Sequence, residues 1–153
     1  MARKIIDVIP EEMVMPGFNL DGEVDEKEFK SLWDSLKMNK QLVEAFAWSR
    51  LYGGSAIVAL FNDGRALTSP IKDAASGTLE AIRVYEKEQI KVKTKETNPR
   101  NVRYGLPKMY TINPGGAGSE YDVHYSRVYT LDGERIPGTA RRQNEGWGVS
   151  VLS

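Results

Sequence analysis

The sequence contains no cysteine and a single histidine, His124. The absence of cysteine excludes a disulfide framework and a thiolate metal site. The single histidine excludes any catalytic mechanism that needs two histidines. Its 21 basic and 21 acidic side chains balance, so no overall field favours nucleic acid or a membrane surface. No apolar run is long enough to span a membrane, and residues 1–6 lack the apolar core of a signal peptide. We expect a soluble, intracellular-type protein without a cofactor.

The chain of 153 residues is long enough for one domain with a substantial core. Its central feature is predicted at residues 45–60 (AFAWSRLYGGSAIVAL), where the end of a helix is followed by two glycines and a strand; we call this the pivot. Apolar side chains recur at the helical period up to Leu51, and residues 55–61 form an apolar run of strand length. Gly53 lies where a helix ends in a left-handed residue, and Gly54 allows a close turn. Three large side chains surround this pivot: Trp48, Arg50 and Tyr52.

Two helices are predicted before the pivot. Residues 25–38 place their apolar side chains on one helical face, with Asp25 as the N-cap, and a second helix follows over residues 40–52 after a break at Asn39. Residues 1–24 contain two prolines among short apolar groups, which favours an extended arm. Such an arm pairs either with the chain's own sheet or with a neighbouring subunit.

The rest of the chain predicts strands and turns. A hairpin turn is predicted at residues 62–65, and residues 133–146 are polar and irregular. The apolar run 147–152 indicates an element that opens but is not completed. The predicted fold is α+β, a helical hairpin packed on a mixed, mainly antiparallel β-sheet, with residues 1–24 as an arm and 25–153 as one domain. The strand-like runs are residues 78–94 (two runs), 108–113 and 120–131 (a pair).

Few residues indicate chemistry. No serine lies in a G-x-S-x-G context, so His124 is interpreted as a strand-end residue with a local hydrogen bond, although a Ser–His–Asp arrangement stays open. Gly53-Gly54 follows a helix and precedes a strand, which is the reverse of a Rossmann or P-loop turn. Residues 115–118 lack the following helix and lysine of a phosphate loop. The sequence predicts no catalytic, metal or cofactor site.

Basic side chains concentrate between residues 83 and 108, eight of them against three acidic ones. Within this region Lys91, Lys93 and Lys95 alternate with less polar residues, so one strand face is apolar and the other basic. Three interpretations are open: a solvated sheet face, weak sequence-independent contact with nucleic-acid phosphates, or a surface that meets an acidic region of a neighbouring subunit in a head-to-tail ring.

Three blocks in order resemble tailed-phage portal proteins of the DUF1073 type: SRLYGGSAIVAL (49–60), HYSRVYTLDGERIP (124–137) and WGVSVL (147–152). The lead-in IIDVIPEEMVMPGF and the piece 104–107 with Tyr110 are similar to further segments of that family. Together they span nearly the whole chain. The resemblance implies that residues 25–153 are a wing-like domain, truncated before a stem helix.

The resemblance further implies a non-enzymatic structural protein of the virion that assembles in the host cytoplasm. Its copies would form a closed ring of about a dozen subunits at one capsid vertex. Double-stranded DNA would pass through that ring, without sequence preference, during packaging and ejection. The implied partners are further copies of the chain, terminase, head-completion or connector proteins and the capsid protein, with no membrane.

The resemblance assigns architectural roles, as candidate subunit contacts, to residues in three places. Lys91, Lys93 and Lys95 are candidates for weak DNA contact, which requires that their face turn toward the channel; we do not expect this of a wing. The architectural residues are Arg50, Tyr52, Gly53 and Gly54 at the pivot, His124, Ser126 and Arg127 at a strand end, and Trp147 and Gly148 at the root of the next element.

Two other classes of protein are considered. Some phage proteins associated with this family name are anti-defence phosphoesterases that act on cyclic nucleotides. The two-histidine type of such enzymes needs two H-x-T/S motifs, and this sequence has one, at residues 124–126. The other class is a stand-alone interaction module, for instance a prophage remnant or a capsid adaptor.

Overall fold

The computed structural model describes residues 9–14, 26–71, 78–116 and 118–152. These residues form four helices and six strands, which confirms the predicted α+β class. The helices are α1 (9–14), α2 (Glu26–Ser35), α3 (Met38–Tyr52) and α4 (Gly138–Gln143). The strands are β1 (Gly54–Asn62), β2 (Thr78–Glu86), β3 (Ile90–Lys95), β4 (Pro107–Ile112), β5 (Tyr121–His124) and β6 (Val128–Asp132).

The strands form two antiparallel sheets of three strands each, in the orders β2-β1-β6 and β3-β4-β5. A short 3-10 helix at Lys87–Gln89 joins β2 to β3, and another at Tyr125–Arg127 joins β5 to β6. At each of these 3-10 helices the chain leaves one sheet and enters the other, as it does at the corners of two packed sheets. The sequence predicted a single sheet, because alternation along a strand does not show where the sheet divides.

The core lies between the two sheets. Along β4, Tyr110 and Ile112 are buried while Met109 and Thr111 are partly exposed, which is the alternation expected of a strand with one inward face. Buried side chains from the other strands meet them: Ala56, Val58, Tyr85, Ile90 and Val123, together with Trp147.

Helix α3 covers the sheet that contains β1. Its Ala45 and Ser49 lie one turn apart on the same face and are buried, and the Ser55 hydroxyl of β1 donates to the Ala45 carbonyl oxygen at 2.6 Å. Helix α2 precedes α3 after a two-residue turn and buries none of its residues. The predicted helical hairpin is therefore present, but the break lies at residues 36–37, where Lys37 has a φ of 51°, and not at Asn39.

Three local predictions differ from the structure. Residues 9–14 are helical, although an extended arm was predicted; Pro10 lies among the first described residues of this helix, and the first turn of a helix tolerates proline. The chain bends at residues 62–65, yet β2 begins only at Thr78, so the connection is far longer than a hairpin turn. Residues 133–146 contain α4. Residues 1–8 and 15–25 lie outside the described residues, so the rest of the arm stays a prediction.

Candidate functional site

The predicted pivot is a close backbone junction at the end of α3. Gly53 has a φ of 83°, as the left-handed cap prediction requires, and β1 begins at Gly54. A Cβ on Gly53 would lie 2.7 Å from the Gly148 carbonyl oxygen, and one on Gly54 would lie 2.3 Å from the Trp147 ring. The two glycines are therefore needed because the segment at 147–148 lies directly against them.

Gly133 completes this junction from the end of β6. Its N–H donates to the Gly53 carbonyl oxygen at 3.0 Å, and a Cβ at this position would lie 2.4 Å from the Val149 carbonyl oxygen. Glu134 and Val149 exchange two backbone hydrogen bonds, of 3.0 and 3.2 Å. We call Gly53, Gly54, Gly133 and Gly148 the glycine junction; it joins the end of α3, the end of β6 and the last described segment.

The three blocks quoted from the sequence thus meet at one place. Tyr52 is exposed at the end of α3, whereas Trp147 is buried in the core against Gly54. The carbonyl oxygen of Arg50 accepts from the Val151 N–H at 2.9 Å, which holds the last described segment to α3. From the sequence, Gly133 was placed only at the start of an irregular stretch, since its approach to Gly53 depends on the tertiary fold. A role of these residues in subunit contact stays a prediction.

Among the described residues, Arg127 is the largest fully buried side chain, and it holds the loop after β1. Its guanidinium Nη2 lies 2.6 Å from the Asp63 carboxylate, and both side chains are almost completely buried. Its Nε donates to the Ser69 carbonyl oxygen at 3.1 Å. Within the described part of the chain, the second terminal nitrogen, Nη1, is buried without a hydrogen-bond partner. We call the Arg127–Asp63–Ser69 contacts the loop latch.

The charge of Asp63 depends on this latch. Burial acts to raise the pKa of its carboxyl group, but the hydrogen bond and positive charge of Arg127, with the N–H of Arg65, outweigh burial and hold the pKa below its ordinary value. Asp63 is therefore ionised at neutral pH, and the latch is a salt bridge that solvent hardly reaches.

His124 and Ser126 belong to the same corner. The Nδ1 of His124 accepts from the Ser126 N–H, at 3.3 Å, and lies 3.0 Å from the Ser126 hydroxyl, which itself accepts from the Ile71 N–H at 3.1 Å. Burial, then the charges of Lys108, Arg127 and Arg103, lower the pKa of His124. The neutral ring thus caps the short 3-10 helix, which agrees with the local hydrogen bond predicted from the sequence.

The predicted basic face is partly neutralised. The Nζ of Lys93 lies 2.5 Å from the Asp122 carboxylate, which also accepts from the Thr111 hydroxyl at 2.7 Å. Lys91 and Lys95 are exposed, and neither has an ion pair in the described ranges. Two of the three lysines predicted from the alternation are thus available to a partner.

Lys95 borders a cleft between the two sheets. Two adjoining depressions of about 540 and 650 Å³ share Val92, Lys95 and Trp147 among their lining residues. One side of the cleft is β3, the opposite side includes Thr130 and Asp132 of β6, and the turn after α4 closes it. We call this feature the basic cleft, since Lys91, Arg103 and Arg142 also line it.

Two kinds of site are not found among the described residues. No group of three or more His, Asp or Glu side chains is arranged to hold a metal ion. No helix in the described ranges has the length and apolar character needed to cross a membrane.

Comparison with known proteins gives the family. A family model described as phage portal protein matches residues 1–153. The chain is similar to "Anti-CBASS protein Acb1" of Caulobacter sp. (strain RHG1), with 25% identity over 157 residues that cover 99% of this chain and 25% of that protein. It is also similar to an uncharacterized protein of Haemophilus influenzae, with 28% identity over 126 residues that cover 82% of this chain and 27% of that protein.

The chain therefore spans about a quarter of the length of these curated relatives. The blocks at residues 49–60, 124–137 and 147–152 resemble portal segments, and they meet at the glycine junction and the adjoining loop latch. The family model matches all of the chain, which thus belongs to the phage portal protein family.

Proposed function

We propose that this chain is the wing part of a portal subunit. Copies of the subunit assemble into a ring at one capsid vertex, through which double-stranded DNA is packaged and ejected. The observation that carries the proposal is the family match over residues 1–153. The partners are further copies of the chain, terminase, head-completion or connector proteins and the capsid protein. The location is the virion, after assembly in the host cytoplasm.

The internal contacts of the fold support a structural role. Side chains that often carry chemistry are used here to hold loops and helix ends, since Arg127 binds the loop after β1 and His124 caps a 3-10 helix. The glycine junction brings three distant segments into backbone contact. A wing that has to keep its shape within a ring requires rigidity of this kind.

We propose no enzymatic activity for the chain. One relative is named as an anti-CBASS protein, but the match covers only 25% of that protein. In this chain the Nδ1 of His124 lies 3.0 Å from the Ser126 hydroxyl, but the same nitrogen also accepts from the Ser126 N–H and the hydroxyl accepts from the Ile71 N–H, so the pair serves to cap the 3-10 helix. That relative's activity is therefore not carried over to this chain.

The solution mass tests the proposal. We expect a longer chain, extended to the length of the relatives, to form particles of about a dozen copies, since head-to-tail contacts close into rings. Multi-angle light scattering measures this mass directly. The 153-residue chain serves as the control and is not expected to reach this mass. If the longer chain stays monomeric or dimeric at every salt concentration tried, the ring is refuted, and a stand-alone interaction module becomes the better account.

A further inference from the structure

The basic cleft lies between two open strand edges. In the described part of the chain β3 pairs only with β4, and β6 pairs only with β1. Val92 of β3 and Thr130 of β6 both line the cleft. An open edge presents unpaired backbone N–H and C=O groups, and an extended segment that binds there gains main-chain hydrogen bonds.

The charges at the cleft favour an acidic occupant. Asp132 is paired with Arg141, and Lys93 is paired with Asp122, so these charges largely cancel. Lys91, Lys95 and Arg142 line the cleft without an ion pair among the described residues, against one unpaired acid, Glu145. The excess is positive, and it lies beside the open edge of β3.

The floor of the cleft adds a requirement for apolar side chains. Trp147 and Tyr110 are both about nine-tenths buried and form the floor together with Val92, while Leu106 beside them is 48% exposed. An extended strand points alternate side chains to opposite sides. The cleft therefore suits a segment whose apolar residues alternate with acidic ones.

The sequence of this chain contains such a segment. Residues 18–25 are FNLDGEVD, in which Phe18, Leu20 and Val24 alternate with acidic residues at 21, 23 and 25. Residues 18–25 lie outside the described residues. Their pattern complements both the alternating lysines of β3 and the apolar floor of the cleft.

We propose that residues 18–25 of one copy bind the basic cleft of a second copy by adding a strand to the edge of β3. The inference rests on the proposed function, since it requires that copies assemble. The lysines of β3 and the register shift around Lys93 disfavour pairing of this edge with an ordinary strand. An acidic segment can pair there more readily, because its carboxylates offset the positive charge of the lysines. The contact is head-to-tail, because a segment of one copy meets a different surface of the next.

A binding measurement tests the chemistry of this contact. A fluorescent peptide of residues 16–26 is expected to bind the 153-residue chain, and Lys95→Glu/Arg142→Glu is expected to weaken binding at least about tenfold. The matched control is Lys30→Glu/Lys40→Glu, which reverses two exposed charges on the helices and should leave binding unchanged. Equal loss in both variants, or no binding at all, overturns the proposal.

A competition assay with a DNA duplex separates a peptide site from a phosphate site. The duplex should not displace the peptide at equal charge concentration. If the duplex displaces the peptide, and if Lys95→Glu/Arg142→Glu also weakens duplex binding, the cleft is a phosphate site and the proposal is wrong.

Cross-linking shows whether the segment comes from a second copy. The chain has no cysteine, so single cysteines can be placed cleanly. A Leu20→Cys copy mixed with a Thr94→Cys copy should give a dimer with a short thiol cross-linker, whereas Ser31→Cys mixed with Thr94→Cys should not. If a chain carrying both Leu20→Cys and Thr94→Cys cross-links only within itself, the second-copy assignment is refuted.

The two proposals can fail separately. A cross-link between copies of a chain that never forms a ring leaves this contact intact and refutes the ring. A ring that forms without the cross-link refutes this contact alone.

Discussion

The Gly133→Ala variant is expected to lose about 3 kcal/mol of unfolding free energy, which lowers the melting temperature by roughly 10 °C. The new methyl group would lie 2.4 Å from the Val149 carbonyl oxygen and 2.6 Å from the Gly53 Cα. Both neighbours are backbone atoms, so no side chain can move aside to make room. Gly133 is not among the residues with positive φ, so the loss arises from these contacts and not from backbone strain. Thermal unfolding followed by circular dichroism measures the shift.

The matched control for this variant is Gly138→Ala. Gly138 begins α4, also without a positive φ, and a Cβ there would have no atom within 4 Å. Alanine is a better helix former than glycine, so this variant should be neutral or slightly more stable. Gly148→Ala provides a second probe of the junction, because its Cβ would lie 2.5 Å from the Glu134 carbonyl oxygen. A glycine junction that tolerates both Gly133→Ala and Gly148→Ala would contradict the account of its packing.

The Arg127→Met variant is expected to melt roughly 10 °C lower than the parent chain, because removing one partner of a buried ion pair leaves the other uncompensated. Asp63 would keep its buried carboxylate, and the Ser69 carbonyl oxygen would lose the hydrogen bond from Arg127. The ion pair between Lys108 and Glu96, with atoms 3.3 Å apart, gives the control: its lysine side chain is 50% exposed, so Lys108→Met should change the melting temperature much less than Arg127→Met does.

A double variant separates the loss of a charge partner from the loss of packing. Asp63→Leu/Arg127→Met removes both charges and should recover much of the stability lost in Arg127→Met. The pH dependence gives a second readout. The pKa of Asp63 is lowered by folding, so its contribution is complete above the ordinary value of 3.8 and is lost as the pH falls through the folded value. Equal stability losses in the single and double variants would show that the ion pair does not carry the effect.

Features that depend on neighbouring residues were predicted well from the sequence. The cap at Gly53 follows from local backbone preferences, and the two strands within residues 78–94 follow from short-range alternation. The helix at residues 9–14 was missed, because the prolines of residues 1–24 were taken to favour an extended arm, although the first turn of a helix tolerates a proline such as Pro10.

Features that depend on distant residues were not predicted. The partners Asp63 and Arg127 are 64 residues apart in the sequence, and nothing near either residue indicates the other. Lys93 lies 29 residues from Asp122, so the alternation of lysines on β3 did not show that one of them is neutralised. The close approach of Gly133 to Gly53 is likewise set by how β6 lies beside β1.

The location of this domain in an assembled particle tests the central claim most directly. A small folded tag inserted between Gly115 and Gly116, in an exposed loop, marks the domain in single-particle electron microscopy of the longer chain. The account predicts closed rings with tag density at the outer rim, away from the central channel. Particles without ring symmetry, or tags that line the channel, would contradict the assignment of this chain as the wing of a portal subunit.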